Sequence, residues 1–151
     1  MTIFHSMNVS ASALTAQRMR MDTISSNIAN AETTRATIGA DGEWLPYRRK
    51  SVVFEPRGSS FHSYLQQARG NSASPDKGVR VTEIREDDAP FRMEYNPNHP
   101  DADENGYVAM PNVDPLREMV DLMSATRSYE ANVTAMNATK SILLKALEIG
   151  K

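Results

Sequence analysis

Two apolar stripes, one at each end of the chain, repeat at spacings of three and four residues and set most of what this sequence can become. From Met119 the repeat runs through Leu122, Thr126, Tyr129, Val133, Met136, Lys140, Leu143 and Leu147, interrupted only at Thr126 and Lys140. Near the start it runs through Met7, Ser10, Leu14, Gln17, Met21, Ile24, Ile28 and Ala31, interrupted only at Ser10 and Gln17. A 3,4 alternation stacks apolar side chains along one side of an α-helix and is the seam pattern of coiled coils. The two ends are therefore expected to be long helices that pair with each other as a coiled coil.

The second stripe is well punctuated. Asp114 is a good N-cap, Pro115 suits the first helical position, Glu118 lies near the positive end of the helix, and Gly150 is a stop. A helix over residues 115–149 is about 52 Å long at 1.5 Å per residue. A compact globule of this size has a diameter of only roughly 40 Å. Pairing with the first helix covers one stripe and leaves a second, formed by Leu116, Val120, Met123 and Leu144, to be covered by a neighbouring subunit or by the middle of the chain. The first helix is expected to begin near Ser6 or Ser10 and to run to about Ala31.

Helical periodicity disappears between the two ends. Of the 8 prolines, all but Pro111 and Pro115 fall within residues 35–110. Residues 47–54, 78–85 and 91–95 read as short strands, and residues 70–78 as a flexible loop. The basic run Arg48, Arg49 and Lys50 reads as a solvated face, with a charge-matched subunit contact as the alternative. The expected class is mainly α with a small β insertion, divided into an N-terminal helix (1–34), a β-containing, irregular middle (35–111) and a C-terminal helix (112–151).

Composition removes several function classes. The 17 Lys and Arg against 19 Asp and Glu lack the basic excess with which nucleic-acid binders neutralise phosphate. No apolar run approaches the roughly 20 residues that span a bilayer, and the first ten residues do not resemble a cleaved secretory signal. With no cysteine, thiolate metal sites and cysteine nucleophiles are excluded. His5, His62 and His99 show no metal or catalytic spacing, and no glycine-rich phosphate loop occurs, so neither catalysis, a cofactor nor a small-molecule substrate is expected. The 9 Met residues suit adaptable core filling or a surface that packs against several non-identical partners.

Two polar constellations remain. Asp101, Asp103 and Asn105, followed by Gly106, match the opening of a calcium loop. Its twelfth position would be Asn112, which cannot give a bidentate carboxylate, so a solvated acidic turn is the better reading. Asn27 and Asn30 in the first helix, with Asn132 and Asn137 in the last, either face water or fix helix register from within a seam.

The run Ser25-Ser-Asn-Ile-Ala-Asn-Ala-Glu-Thr-Thr34, following Ala16-Gln-Arg-Met-Arg-Met-Asp-Thr-Ile24, resembles the N-terminal signature of the bacterial flagellar basal-body rod family. Gly106-Tyr-Val-Ala-Met-Pro-Asn-Val113, Glu118-Met-Val-Asp121 and Ser128-Tyr-Glu-Ala-Asn132 resemble its C-terminal signature. Phe91-Arg-Met-Glu-Tyr95, His99-Pro-Asp-Ala-Asp103 and the short chain are most similar to its proximal-rod members. The resemblance implies a non-catalytic axial subunit of the basal body that leaves the cell through the flagellar type III export apparatus without a cleaved signal. Its implied partners are copies of itself and other rod proteins. The assembly interface would comprise Met7, Leu14, Met21, Ile24, Asn27, Ile28, Asn30, Met119, Leu122, Tyr129, Val133, Met136, Leu143 and Leu147. The competing expectation is a soluble helical adaptor or secreted coiled-coil protein that closes into a small oligomer.

Overall fold

The computed structural model describes residues 4–40, 42–57, 65, 68, 69 and 78–149. Along them run α1 (His5–Ala29), β1 (Thr37–Ile38), β2 (Trp44–Leu45), β3 (Lys50–Pro56), β4 (Val79–Glu86), β5 (Arg92–Tyr95), β6 (Tyr107–Met110) and α2 (Pro115–Ile149). Two terminal helices flank a middle of small antiparallel strand pairs.

The caps explain where the helices start and stop. Asp114 Oδ1 accepts the backbone N–H groups of Leu116 at 3.0 Å and Arg117 at 3.4 Å, which satisfies two donors that a helix start leaves unpaired. Pro115 has no N–H to satisfy. At α1 the expected caps are corrected: the helix starts at His5, so Ser6 and Ser10 lie inside it. The apolar repeat already includes Met7 and carries the helix past both serines. Its other end is closed by Asn30, whose Nδ2 donates to the Ser26 carbonyl at 2.9 Å while Oδ1 accepts the Thr33 hydroxyl at 3.2 Å.

The strands form three two-stranded sheets. In the first, Thr37 faces Leu45 and Ile38 faces Trp44; in the last, Arg92 faces Met110 and Tyr95 faces Tyr107. The β3–β4 pair is bounded by Asp87 N–H donating to the Arg49 carbonyl and Arg57 N–H donating to that of Gly78, each at 2.8 Å. Strands were expected near β3, β4 and β5, but not at β1, β2 or β6. With two residues each, β1 and β2 are too short to display an alternation, and in β6 the run Tyr-Val-Ala-Met does not alternate apolar with polar residues. The expected loop at residues 70–78 lies, apart from Gly78, outside the described residues.

Contacts divide the chain into two compact units, and each takes part of both helices. The first comprises Met1–Arg20, Val53–Glu83 and Ser124–Lys151. Its buried helix positions are small: Ser12, Ala16 and Ala125. Ser12 Oγ donates to the Val9 carbonyl at 2.7 Å and accepts the Val79 N–H at 3.1 Å, which seats the start of β4 on α1. Gly78 has φ +79°, and a Cβ there would collide with Ser12 Oγ, so only glycine allows this approach.

The second unit comprises Met21–Val52 and Ile84–Met123. Its apolar core is Ile24, Tyr47, Val108, Pro111 and Val113. Unlike the first, it also encloses Asn27 and Glu118, both 0% exposed.

Candidate functional site: a buried polar node and an uncovered helix face

The node is built around Asn27, the first amide of the N-terminal signature. An asparagine has two donor hydrogens and two acceptor lone pairs, and burial penalises each one left unused. Here all four find partners. Asn27 Nδ2 donates to the Lys50 carbonyl at 2.8 Å and to Glu118 Oε2 at 2.9 Å. Asn27 Oδ1 accepts the Lys50 N–H at 2.9 Å and the Tyr47 hydroxyl at 3.1 Å.

Glu118 is the charged member. Its second oxygen, Oε1, accepts Arg49 Nε at 2.7 Å, so the enclosed carboxylate has both a counter-charge and hydrogen bonds. A buried ion pair adds little net stability, but removing one partner costs about 3–5 kcal/mol because it strands the other. Arg49 is itself held firmly. Asn112 Oδ1 accepts its N–H at 2.7 Å, and Asp87 and Asp121 lie 3.7 and 3.6 Å from its guanidinium. Asn112 Nδ2 donates onward to the carbonyls of Asp87 at 3.0 Å and Ala89 at 3.1 Å.

This corrects the reading of the basic run as a solvated face. Arg49 is 19% exposed and ion-paired. Arg48 lies 4.6 Å from the Phe91 ring centre and donates to the Asp87 carbonyl, and Lys50 Nζ reaches Glu86 at 3.9 Å. Such partners lie dozens of residues away, and a composition window cannot see them.

Sequence reasoning singled out Asn27 but missed Tyr47, Arg49, Asn112 and Glu118 as its companions. One signal was present. Counting four residues back from Leu122 along the helix gives Glu118, whereas counting three gives Met119. Apolarity favours the second, yet Glu118 is buried and Met119 is exposed.

The remaining interface candidates divide by helix. On α1, Ile24 is buried and Met7, Leu14, Met21 and Ile28 are half-buried; Asn30, just beyond the helix, is half-buried too. On α2, Leu122, Tyr129, Val133, Met136 and Leu143 are half-buried, while Met119 and Leu147 are exposed. The second α2 stripe is open: Leu116, Val120, Met123 and Leu144 are all more than half exposed.

In the acidic turn, Asp101 and Asp103 accept hydrogen bonds from within the chain. Asp101 accepts hydrogen bonds from Arg35 Nε at 2.7 Å, from Arg35 Nη2, and from the Thr34 hydroxyl at 2.8 Å. The Arg35 hydrogen bond, followed by that from Thr34, holds the Asp101 carboxyl below the usual carboxylate range. Asp103 Oδ1 accepts the N–H groups of Asn105 and Tyr107, each at 2.9 Å. Among the described residues no group of three His, Cys, Asp or Glu side chains is placed to hold a metal ion, and no helix is long and apolar enough to cross a membrane.

The long helix α2 thus carries a row of exposed apolar side chains beside a buried polar node in which Asn27 and Glu118 are fully partnered. Comparison with known proteins is specific. The family model described as flagella basal body rod protein matches residues 7–37, and that described as the C-terminal part of flagellar basal body rod FlgEFG protein matches 104–149. The flagellar basal-body rod protein FlgC of Bacillus subtilis (strain 168) is 62% identical over 151 residues, covering 100% of both chains. FlgC of Borreliella burgdorferi is 43% identical, covering 99% of this chain and 98% of its own; that of Salmonella typhimurium is 41% identical with full coverage of both. The chain belongs to the flagellar basal-body rod proteins of the FlgC type, which are structural proteins and not enzymes. Asn27 falls in the first family match and Glu118 in the second.

Proposed function

We propose that this structural rod subunit builds the proximal rod through its terminal helices, which pair as a coiled coil and pack against copies of the chain and other rod proteins. The resulting tube transmits torque from motor to hook. The chain reaches it through the type III export apparatus without a cleaved signal. The observation that carries this reading is the open face of α2, where Leu116, Met119, Val120 and Met123 recur at i, i+3, i+4 and i+7 and are all more than half exposed. That spacing is the anchor pattern of a helix that docks into an apolar surface. Further along, Ile142, Leu144 and Leu147 are exposed as well. Paired methionines within the face suit neighbours of differing shape, because an unbranched thioether side chain repacks readily.

Cells that produce only Leu116→Asp or Leu143→Asp test the proposal. Purified basal bodies are expected to lack the rod beyond the defect, with motility lost, while the purified Leu116→Asp chain keeps its helical circular dichroism. Normal motility in both strains overturns the interface assignment.

A further inference from the structure

We infer that residues 47–50 act as a folding licence for the helices: the Asn27 end of α1 and the Glu118 end of α2 close on each other only after this segment has taken its place. Three of the four hydrogen bonds that satisfy Asn27 come from it, two from the Lys50 backbone and one from Tyr47. The only counter-charge bonded to Glu118 among the described residues comes from it too, through Arg49. Without this segment, bringing the two helices together would enclose a carboxylate facing a single amide N–H and an asparagine with one bond out of four. Burial of unpartnered polar and charged groups is heavily penalised, so helix pairing at this end is unfavourable until the segment arrives.

Delivery of Arg49 depends in turn on the sheet. Its carbonyl accepts the Asp87 N–H at the end of the β3–β4 pair, and its N–H is fixed by Asn112, which also grips Asp87 and Ala89. The dependence therefore runs from the β3–β4 pair, through Arg49, to the helix ends. Residues 47–50 lie between the two family matches, so each matched region holds half of the Asn27–Glu118 pair and neither holds the residues that complete it. An apolar seam has no such requirement, since apolar side chains pack whether or not the middle has folded; buried polar partners impose specificity that apolar contacts lack. If the assembly reading above holds, the node keeps a half-folded chain from presenting paired helices to its neighbours.

Amide hydrogen exchange on the full-length monomer tests the licence without reference to assembly. Arg49→Met keeps much of the side-chain volume and removes the charge; it is expected to speed exchange at residues 22–29 and 116–124 by at least about 100-fold. Adding Glu118→Gln to it is expected to bring exchange back to within about tenfold of the parent, because a neutral amide needs no counter-charge. If Arg49→Met unfolds the whole chain, the double variant is expected to refold it, read by circular dichroism. Unchanged exchange in Arg49→Met, or a defect that Glu118→Gln does not reverse, overturns the inference. Motility that survives Leu116→Asp and Leu143→Asp would remove the assembly reading and leave the exchange result standing.

Discussion

The two helices carry the same kind of apolar repeat and treat it differently. Every stripe residue of α1 from Met7 to Ile28 is buried or half-buried, whereas α2 leaves Met119 and Leu147 exposed and presents a second open face besides. Polar anchors also crowd α1. Ser12 seats β4, Asn27 binds residues 47–50, and Thr34 and Arg35, just past its end, bind Asp101. Helix α1 is thus mostly satisfied within its own chain, while α2 keeps apolar surface in reserve. In the proposed assembly, this uncovered apolar surface is the part that meets neighbouring subunits.

The sharpest way to break this contrast is to place the same charge on each helix. Ile24 is 5% exposed and Leu116 is 72% exposed. Ile24→Asp buries a carboxylate and is expected to cost about 4 kcal/mol or more, enough to unfold the second unit. Leu116→Asp is expected to change monomer stability by no more than about 0.5 kcal/mol. Urea unfolding followed by circular dichroism measures both. Equal losses would mean that α2 is satisfied within the chain to the same degree that α1 is.

Next in size is Asn27→Ala, which strips partners from Tyr47, Lys50 and Glu118 together. The expected loss is about 3 kcal/mol, because several buried polar groups are stranded at once. Asn30→Ala removes only a local bond to Ser26 and one to Thr33, and is expected to cost about 1 kcal/mol or less. Similar losses from the two would show that the node is no more than a helix end.

The same pair shows how much was legible in the sequence. Both asparagines stand out in Ser25-Ser-Asn-Ile-Ala-Asn30, and the caps and proline of α2 placed that helix from Pro115 to Ile149. What stayed hidden was which asparagine is enclosed. Asn27 and Arg49 are partnered by Glu118, 91 and 69 residues away respectively, and no local spacing encodes such distances. β1 and β2 were hidden for a different reason: two-residue strands are stabilised by their turn and partner and carry no period of their own.

A smaller effect tests the other anchorage of α1. Gly78→Ala forces a Cβ against Ser12 Oγ in a left-handed backbone conformation, and is expected to cost about 1–3 kcal/mol. Combining it with Ser12→Ala removes the clash with Oγ but leaves the tight contact with the residue-12 Cβ at 3.1 Å and the backbone penalty, so the pair should recover part of the loss. Full additivity of the two substitutions in urea unfolding would mean that Ser12 and Gly78 do not meet.

The smallest expected effect concerns the chain just beyond α1. Because Asp101 titrates below its ordinary value in the folded chain, its hydrogen bonds from Arg35 and Thr34 favour folding at pH values above the unfolded carboxyl pKa. That contribution fades as pH falls through the folded value, where the carboxyl takes up a proton. The Asp101→Asn chain should therefore be less stable than its parent at neutral pH, and the difference should shrink on acidification. Carbon-detected NMR titration of the Asp101 carboxyl, run beside that of exposed Glu104, reads the same effect directly. A midpoint for Asp101 at or above the ordinary aspartate value would mean that Arg35 and Thr34 do not hold it in solution. In that case the fixed path of the chain past α1 would rest on Asn30 and on the Tyr47 N–H that donates to the Thr33 carbonyl at 3.1 Å.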